Sequence, residues 1–477
     1  MNFRKSKRFL SGLLAGTALA AMCLTGCGKK QVSDGDYTID WYMVTGTAPT
    51  KAEDVEAKVN EYIKDKVGAK LKMHYLTWSQ YDEKMNMMNA GGEKYDICWT
   101  CGDTYKLNAA KNAYLEIDEL MDKYAPKTKE LIGEDFLKGS RIDGKLYGVP
   151  ANKDKGHSEG ILYRKDLAEK YGLTDKLNSI KSFDELYPLL DIIKQNEPAV
   201  EPLIEHHPSS YKDFNFFDFF AFPAGVYINK ADEVVNYVES PEYREACEKS
   251  RYNFVNKYSW LESMESGENY FIQIMNLKPG KDRELTGVRK YEWVQVELTD
   301  RYMTNGDATG SIMAISRTSE QPEKAMKFLE LFNTDKYLNN LVVYGIEGVN
   351  YKKVDENIIE PIKNSGYGNA SMEWVFGNTF LNYIVKGDDP NKFQETEKFN
   401  ESLIPAEDLG FTFNQEAIKT EVGACQNVRK QFEGRLANGE DDVDTLLTEY
   451  IEKLRAAGSE RVVAEVKKQY NEWKAKN

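Results

Sequence analysis

The sequence predicts an α/β protein built from two domains with parallel sheets. Strand-length apolar stretches and helix-length amphipathic stretches alternate from residue 37 to residue 100, and the alternation begins again at residue 160. Strands that alternate with helices are typical of a parallel sheet covered by helices. The chain has 477 residues, which exceeds the size of a single comfortable core and favours two domains.

The first 26 residues have the pattern of a secretory signal. A basic start is followed by an uncharged apolar run at residues 10–24 and by small residues before Cys27. The run is shorter than the roughly 20 residues of a membrane-spanning helix, so a retained anchor helix is not expected. The Leu-Thr-Gly-Cys ending resembles the lipobox of bacterial lipoproteins. This implies that the signal is cut before Cys27 and that Cys27 carries lipid. The alternative is an ordinary signal in which Cys27 falls by chance.

The net charge of the chain limits which classes of molecule can be its partner. Removal of the signal takes the formal charge from −14 to −18, because residues 1–26 hold four basic residues and no acidic one. An acidic balance argues against nucleic acid as a partner and against a surface that adheres to anionic lipid. The acidic residues are scattered among lysines, which indicates a soluble surface.

Four cysteines remain beyond Cys27, too few for a disulfide framework of the kind small secreted domains use. Cys98 and Cys101 form a Cys-x-x-Cys pair, which could be a redox dithiol or half of a zinc site. No second pair stands at zinc-site spacing, and the pair ends a strand instead of opening a helix. Packing or a local disulfide is therefore favoured. Cys247 and Cys425 fall in helical patterns and are expected to be buried thiols.

The first unit is expected to follow a polar tether at residues 28–36. Its predicted elements are a strand at 37–44, a helix with apolar Val55, Val59, Tyr62, Ile63 and Val67, a strand at 70–77, a helix at 81–89 and a strand at 95–100. Ligands of parallel sheets collect at the carboxyl ends of the strands. The loops at 45–47, 78–81 and 99–105 are therefore the places to look for a site.

The rest of the chain repeats the alternation. Predicted elements are a turn and short strand at 143–150, a strand at 160–164, helices at 166–171 and 182–195, a strand at 202–205 and closing helices at 443–454 and 462–473. Ser240-Pro241 and Gln321-Pro322 are typical helix starts. Seven aromatic residues stand within residues 211–222, and most of them must be core, since so much exposed aromatic surface would aggregate.

Two of these segments carry a family resemblance. Asp-Gly-Lys-Leu-Tyr-Gly-Val-Pro at 143–150 and Gly-Ile-Leu-Tyr-Arg-Lys-Asp-Leu at 160–167 resemble extracellular solute-binding proteins of ABC importers, of the sugar-binding type (family 1). Arg164 stands where that family usually has asparagine. Residues 314–326 are similar to the segment in which the family returns to its first lobe. Residues 344–351 and the stretch from Trp374 onward resemble the Gram-positive lipoprotein branch with an extra, uncharacterised C-terminal region.

The resemblance implies a two-lobed periplasmic-binding-protein-like fold of type II, with the ligand in the cleft between the lobes. The first lobe is expected at 37–151 and 306–361, and the second at 152–305 and 362–477, which includes the C-terminal helices. The chain would cross between lobes at 152–159, 298–305 and 362–372. The implied partners are a carbohydrate and the permease of an ABC transporter. The implied location is the outer face of the cell membrane, with the protein a lipid-anchored monomer without cofactor.

A sugar cleft needs flat aromatic rings for C–H faces and planar polar groups for hydroxyls. The candidate ligand-binding residues are Trp41, Trp78, Trp99, Asp103, Asn152, Tyr211, Tyr270, Glu373 and Trp374. Each could instead be structural. Trp41 in particular lies within a predicted strand, so it could equally be a core residue. Trp260, Trp293 and Trp473 are interpreted as packing residues.

Catalysis and metal binding are the rival classes. His206 and His207 are adjacent on a predicted strand, so their side chains should point to opposite faces and not share an ion. The sequence has no nucleophile elbow, no His-Glu-x-x-His and no phosphate loop. The chain is therefore expected not to be an enzyme. A glycoside-active enzyme remains an alternative, since paired carboxylates meet only in three dimensions. A binder of peptides or another solute on the same scaffold is the other alternative.

Overall fold

The structure is a computed structural model that describes residues 37–204, 217–259, 269–368 and 370–476. Cys27 and the signal before it lie outside these residues, as do Tyr211, the two adjacent histidines and Trp260. In the described part of the chain, every helix is too short or too polar to cross a bilayer.

The strands are given in chain order. They are β1 (Thr38–Thr45), β2 (Lys70–Thr77), β3 (Ile97–Thr100), β4 (Gly148–Pro150), β5 (Ser158–Arg164), β6 (Glu201–Ile204), β7 (Phe217–Ala221), β8 (Ala224–Tyr227), β9 (Lys230–Asn236), β10 (Tyr270–Leu277), β11 (Trp293–Glu297), β12 (Tyr302–Met303), β13 (Ile312–Ile315), β14 (Tyr351–Lys353), β15 (Ile358–Pro361), β16 (Ile384–Val385) and β17 (Ile404–Pro405).

The α-helices follow the same convention. They are α1 (Ala52–Val67), α2 (Trp78–Gly91), α3 (Gly102–Ala110), α4 (Asp118–Tyr124), α5 (Pro126–Ile132), α6 (Glu134–Ser140), α7 (Lys165–Lys170), α8 (Thr174–Ser179), α9 (Tyr187–Asn196), α10 (Pro241–Val255), α11 (Lys281–Val288), α12 (Asn305–Ala308), α13 (Pro322–Thr334), α14 (Lys336–Tyr344), α15 (Lys392–Glu401), α16 (Lys419–Asn438), α17 (Val443–Ala456) and α18 (Ser459–Lys474). Short 3₁₀ helices include Phe183–Leu186 and Ala370–Val375.

Two sheets hold the strands that the alternation predicts. The first has the order β2-β1-β3-β13-β4, with β1 parallel to β2 and β3, and β13 antiparallel to both of its neighbours. The second has the order β11-β5-β10-β6, with β10 parallel to β6 and antiparallel to β5. The predicted α/β class is confirmed by this mixture of parallel pairing and covering helices.

Helix α1 illustrates why the local pattern predicts the element. Its buried residues are Val55, Val59, Ile63 and Val67, which repeat every four positions and so form one face. Acidic residues lie in its first turn and lysines in its last, as the helix dipole favours. Gly68 then ends the helix at a positive φ of 70°, which glycine adopts without a steric penalty.

The first core extends beyond the segments predicted for it. It contains side chains from both faces of the first sheet and from α13 and α14, and also Tyr367, Val375, Phe376 and Tyr383. Strand β16 pairs with β15, which continues this arrangement. The lobe boundaries stay a prediction. Tyr367, Val375, Phe376 and Tyr383 pack in the first core, although the expected third crossing at 362–372 would put the residues after it in the second lobe.

The C-terminal helices pack on a small third sheet. Strands β7, β8 and β9 form an antiparallel sheet, and their side chains share a core with α10, α16, α17 and α18. Phe217 and Phe222, from the aromatic segment, are buried in this core. The interpretation of that segment as core therefore holds for its described residues.

Trp41 offers a test of the first core. Its side chain has no exposed surface and lies edge-on against Phe328, Phe332 and Phe376, at ring-centroid distances of 5.4, 5.4 and 5.9 Å. Trp41→Ala should lower the free energy of unfolding by about 3–5 kcal/mol, because the cavity left cannot refill. Urea unfolding followed by circular dichroism measures this.

The matched control is Tyr337→Ala. Tyr337 is 52% exposed on α14, so its removal should cost about 0.5 kcal/mol. Similar losses for the two variants would contradict the placement of Trp41 in the core.

Candidate functional site

Three tryptophans meet at the carboxyl ends of the first sheet's parallel strands. Trp78 begins α2 directly after β2, Trp99 lies in β3, and Trp374 lies in the 3₁₀ helix Ala370–Val375. The Trp78 ring stands perpendicular to Trp99 at 5.2 Å and nearly parallel to Trp374 at 6.0 Å. We call these residues the tryptophan cluster. Trp78 is 44% exposed, so the cluster presents aromatic surface to solvent.

Hydrogen bonds fix the inner ring of the cluster. The Trp99 indole N–H donates to Ser311 Oγ at 2.9 Å, and the Ser311 hydroxyl donates to the Val375 carbonyl at 3.0 Å. The Tyr81 hydroxyl donates to the Trp99 carbonyl at 2.7 Å. Trp99 is nearly buried, so its ring supports Trp78 more than it offers a free face. The cluster is therefore a rigid platform.

Glu373 is placed beside the cluster, but its carboxylate is already engaged. It accepts a hydrogen bond from the Tyr344 hydroxyl at 2.6 Å, and it lies 3.4 Å from Asn382 Nδ2 and 3.5 Å from Lys392 Nζ. These partners position the 3₁₀ helix that carries Trp374. We therefore assign Glu373 a positioning role in place of the direct hydroxyl contact expected from the sequence.

Asn152 also braces the site. Its Nδ2 donates to Asn378 Oδ1 at 3.1 Å, and its backbone N–H donates to the Gly377 carbonyl at 2.8 Å. The side chain is buried. It joins the first crossing to the segment that follows Trp374.

The structure treats the remaining candidates differently. Trp41 is in the core, as described above. Tyr270 is buried against Trp293 and donates to Gln273 Oε1 at 2.8 Å. It lies at the start of β10, whereas the crossing pocket is at the end of that strand. Asp103 lies in the first turn of α3, directly after the strand that holds Trp99; it is fully exposed, and its carboxylate lies 3.8 Å from Lys106. Tyr211 falls outside the described residues. The expected ligand contacts of these residues stay predictions.

A cavity of about 500 Å³ lies at the carboxyl-terminal end of β10, beside the segments 153–157 and 306–310. The residues around it belong to the first crossing, the end of β10 and the turn before β13. They include Lys153, Asp154, Gly156, His157, Gln273, Asn276, Lys278, Lys281, Asp307 and Gly310. We call this the crossing pocket. Gly156 permits the close approach, since a Cβ there would overlap the Tyr302 carbonyl oxygen.

One wall of the crossing pocket is a charged triad. Asp154 lies 3.4 Å from the Lys153 ammonium and 3.1 Å from that of Lys278. Burial alone would raise the pKa of Asp154, but the two lysines outweigh it and hold the pKa below its ordinary value. Burial opposes the charge of Lys278 as well, yet Asp154 keeps its pKa above the usual range. Asp154 and Lys278 are therefore both charged near neutral pH.

His157 and Asp307 also line the pocket. His157 Nδ1 lies 2.9 Å from Asp307, and its Nε2 lies 3.4 Å from the buried carboxylate of Glu159. Asp307 also accepts from the Thr304 hydroxyl at 2.7 Å, which caps α12. The pocket thus offers both ammonium donors and carboxylate acceptors.

The tryptophan cluster and the crossing pocket adjoin. Ser311, which holds the Trp99 indole, follows directly after Gly310 in the pocket wall. The two features are therefore linked through adjacent residues of the chain, Gly310 and Ser311. The tryptophans could be found from loop position, whereas the charged walls were missed because their members are far apart in the sequence.

Arg164 and the cysteines lie apart from this site. The Arg164 guanidinium pairs with Asp166 and stacks on Tyr291 at 3.5 Å, which makes it a structural residue. Cys98 and Cys101 are both free thiols. Burial raises the pKa of Cys98 to about 12, so its thiol stays protonated at neutral pH.

Comparisons with known proteins identify the family. A model of the bacterial extracellular solute-binding protein family matches residues 48–338. The chain belongs to this family. A second model, for a domain of unknown function (DUF3502), matches residues 408–475, which we call the C-terminal region. The predicted family and its extra C-terminal region are thereby confirmed.

Relatives from Streptococcus pneumoniae extend the comparison. This solute-binding protein is 29% identical to a carbohydrate ABC transporter substrate-binding protein over 99% of both chains. It resembles the crystal structure of the N-glycan transport solute-binding protein NgtS with 28% identity and a TM-score of 0.79, over 92% of this chain and 99% of that one. For NgtS in complex with Man5GlcNAc the TM-score is 0.69, over 92% and 98% of the chains.

The Lys153–Asp154–Lys278 triad gives a prediction about stability. The lowered pKa of Asp154 contributes stability above the carboxyl's unfolded pKa of about 4, and this contribution is lost as the pH falls through the folded pKa. Asp154→Asn should therefore cost about 1–3 kcal/mol at neutral pH and progressively less below pH about 4. Urea unfolding across this pH range measures the difference.

The exposed carboxylate of Asp103 supplies the control, because Asp103→Asn should leave stability unchanged at every pH. A cost for Asp154→Asn that stays constant as the pH falls would contradict the assigned charge of the triad.

Proposed function

We propose that this solute-binding protein captures a carbohydrate, in the form of an oligosaccharide, and delivers it to the permease of an ABC transporter. The observation that carries the proposal is the partly exposed tryptophan cluster, which is linked through Ser311 and Gly310 to the crossing pocket. Sugars combine apolar C–H faces with a rim of hydroxyls, and this site combines aromatic rings with donors and acceptors. The glycan complexes of NgtS support the same class of ligand.

The spacing of the rings limits where a sugar can lie. A sugar between two aromatic rings needs about 3.5–4 Å on each side, or about 7–8 Å in all. Trp78 and Trp374 are 6.0 Å apart and nearly parallel, so nothing fits between them. The ligand therefore lies on the exposed surface of the pair and not between the two rings.

The crossing pocket suits hydroxyl groups. A hydroxyl donates one hydrogen bond and accepts others, so it can bind the ammonium groups of Lys153 and Lys278 and the carboxylate of Asp307. Because the pocket contains charges of both signs, a neutral polar ligand fits it better than an ion.

The same charges support binding without turnover. Glycoside hydrolysis needs two carboxyl groups free to act as acid and base or nucleophile. Asp154 is held by two lysines and Asp307 by Thr304 and His157. The proposed role is thus transport of an intact ligand, as in the solute-binding family.

Closure of two lobes on the ligand is part of the proposal. The TM-score to NgtS is 0.79 for the structure whose description names no ligand, 0.73 with Man1GlcNAc and 0.69 with Man5GlcNAc. This order supports an open form for the present structure. We further propose a monomer held at the outer face of the cell membrane by lipid on Cys27.

Trp374 gives the sharpest test of the site. Trp374→Ala should weaken binding of the best oligosaccharide by about thirtyfold or more, since loss of a stacking tryptophan costs about 2 kcal/mol. The ligand is first found by a thermal-shift screen of mono- and oligosaccharides that includes the glycans named for NgtS. Isothermal calorimetry then measures the affinity.

Tyr337→Ala is the control for an exposed aromatic residue outside the site and should bind normally. Unchanged affinity of folded Trp374→Ala protein would remove Trp374 from the site. Cleavage of the sugar above the buffer rate would overturn the transport role.

Lipid attachment is tested separately. Cys27→Ala should shift the protein from the membrane fraction to the soluble or secreted fraction, because the acyl chains supply the anchoring free energy. Cys23→Ala, which changes a nearby cysteine of the signal, should fractionate like the wild type. Equal membrane retention of the Cys27→Ala and wild-type proteins would contradict the proposed anchor.

A further inference from the structure

Two aspartates meet where the C-terminal region joins the second crossing, outside the candidate site. Asp408 is the first residue of the C-terminal region and has no exposed surface. Asp218 lies on β7 of the third sheet. The side chain of Asn305 contacts both aspartates. Asn305 is the last residue of the second crossing and the first of α12. The arrangement therefore joins three parts of the chain at one buried point.

The Asn305 side chain is held from both ends. Its Nδ2 donates to Asp408 Oδ2 at 3.1 Å and to the Asp408 carbonyl at 3.1 Å, and it lies 3.4 Å from Asp218 Oδ2. Its Oδ1 accepts from the Gly410 backbone N–H at 2.7 Å. The first residues of the C-terminal region are thus hydrogen-bonded to the second crossing through the Asn305 side-chain amide.

No positively charged group named here pairs with the carboxylates of Asp218 and Asp408. Asn305 is neutral, and the nearby Glu407 is itself acidic and exposed. Tyr470 donates its hydroxyl to the Ala231 carbonyl. Lys138 touches Gly410 with its stem, while its ammonium lies over the Trp473 ring. Burial, the charge of Asp218 and a hydrogen bond to Asp218 raise the pKa of Asp408 well above its ordinary value.

We propose that Asp218 and Asp408 share one proton and that this proton fastens the C-terminal region to the second crossing at Asn305. Two carboxylates cannot hydrogen-bond each other without a proton, because both are acceptors only. With the proton, one carboxyl donates to the other and the pair carries a single negative charge, to which the Asn305 amide donates.

Loss of the shared proton releases the fastening. Two buried carboxylates repel each other, and the segment that begins at Asp408 moves away from Asn305. Asn305 lies two residues before Asp307 in the crossing pocket wall. The attachment of the C-terminal region to the second crossing therefore depends on pH. It is stable at low pH and is weakened at high pH.

Hydrogen–deuterium exchange of the full mature protein tests this. The readout is the protection factor of a peptide spanning residues 408–413, which contains the N–H groups of Gly410 and Phe411 that bond Asn305 and the Asp408 carbonyl. The raised pKa of Asp408 means that stability is greatest below the unfolded pKa and falls as the pH rises toward the folded pKa. Wild-type protection should fall, by up to about tenfold per pH unit, as the pH rises from the ordinary carboxyl pKa of about 4 toward the raised pKa of Asp408.

Asp408→Asn and Asp218→Asn should both abolish this pH dependence, because an amide donates to the remaining carboxylate and has no proton to lose. Glu407→Gln, an exposed neighbour, should retain it. Equal pH dependence in the wild type and both Asn variants would overturn the proposal. So would protection of the wild-type segment by added calcium that both variants lack, since a cation and not a proton would then join the pair.

Discussion

The return of β13 to the first sheet is the constraint on which the rest of the structure depends. The chain leaves this sheet after β4 and comes back at Ile312, where β13 inserts between β3 and β4. The Ala151 N–H then donates to the Ser311 carbonyl at 2.9 Å, so the departing and returning segments lie side by side. Gly148 makes the insertion possible, since a Cβ there would overlap the Ile312 side chain. Without this pairing, Ser311 could not join the tryptophan cluster to the crossing pocket.

Periodicity predicted those elements in which one face alone is buried. Helix α13 begins at Pro322, as the Gln321-Pro322 pair indicates, and buries Ala325, Met326, Phe328, Leu329 and Phe332 on one face. Ser240 caps α10 by accepting from the Tyr243 N–H at 3.1 Å, as its position before a proline indicates. The third crossing was harder to place, because the burial of Tyr367, Val375, Phe376 and Tyr383 depends on partners in the first core that are distant in the sequence.

The candidate site was predictable only in part, because many of its contacts join residues that are distant in the sequence. Trp78 follows a strand and so faces the cleft, whereas Trp41 lies within a strand covered on both faces, where sequence cannot distinguish core from surface. Glu373 was predicted to be near the cleft, but its engagement by Tyr344 and Lys392 depends on distant segments. The pairing of Asp154 with Lys278 joins residues 124 positions apart, and no local pattern indicates it.

The candidate site is divided between two sheets, which relates ligand binding to the distance between them. The tryptophan cluster belongs to the first sheet, and Lys278 follows β10 of the second. In the proposed function, stacking on the aromatic surface tolerates many sugars and the charged residues select the positions of hydroxyls, so one scaffold can serve different solutes. A ligand that contacts both sheets would gain its full contact only when the sheets approach each other. Its affinity would then be higher for the closed arrangement, and that difference in affinity would shift the protein toward closure.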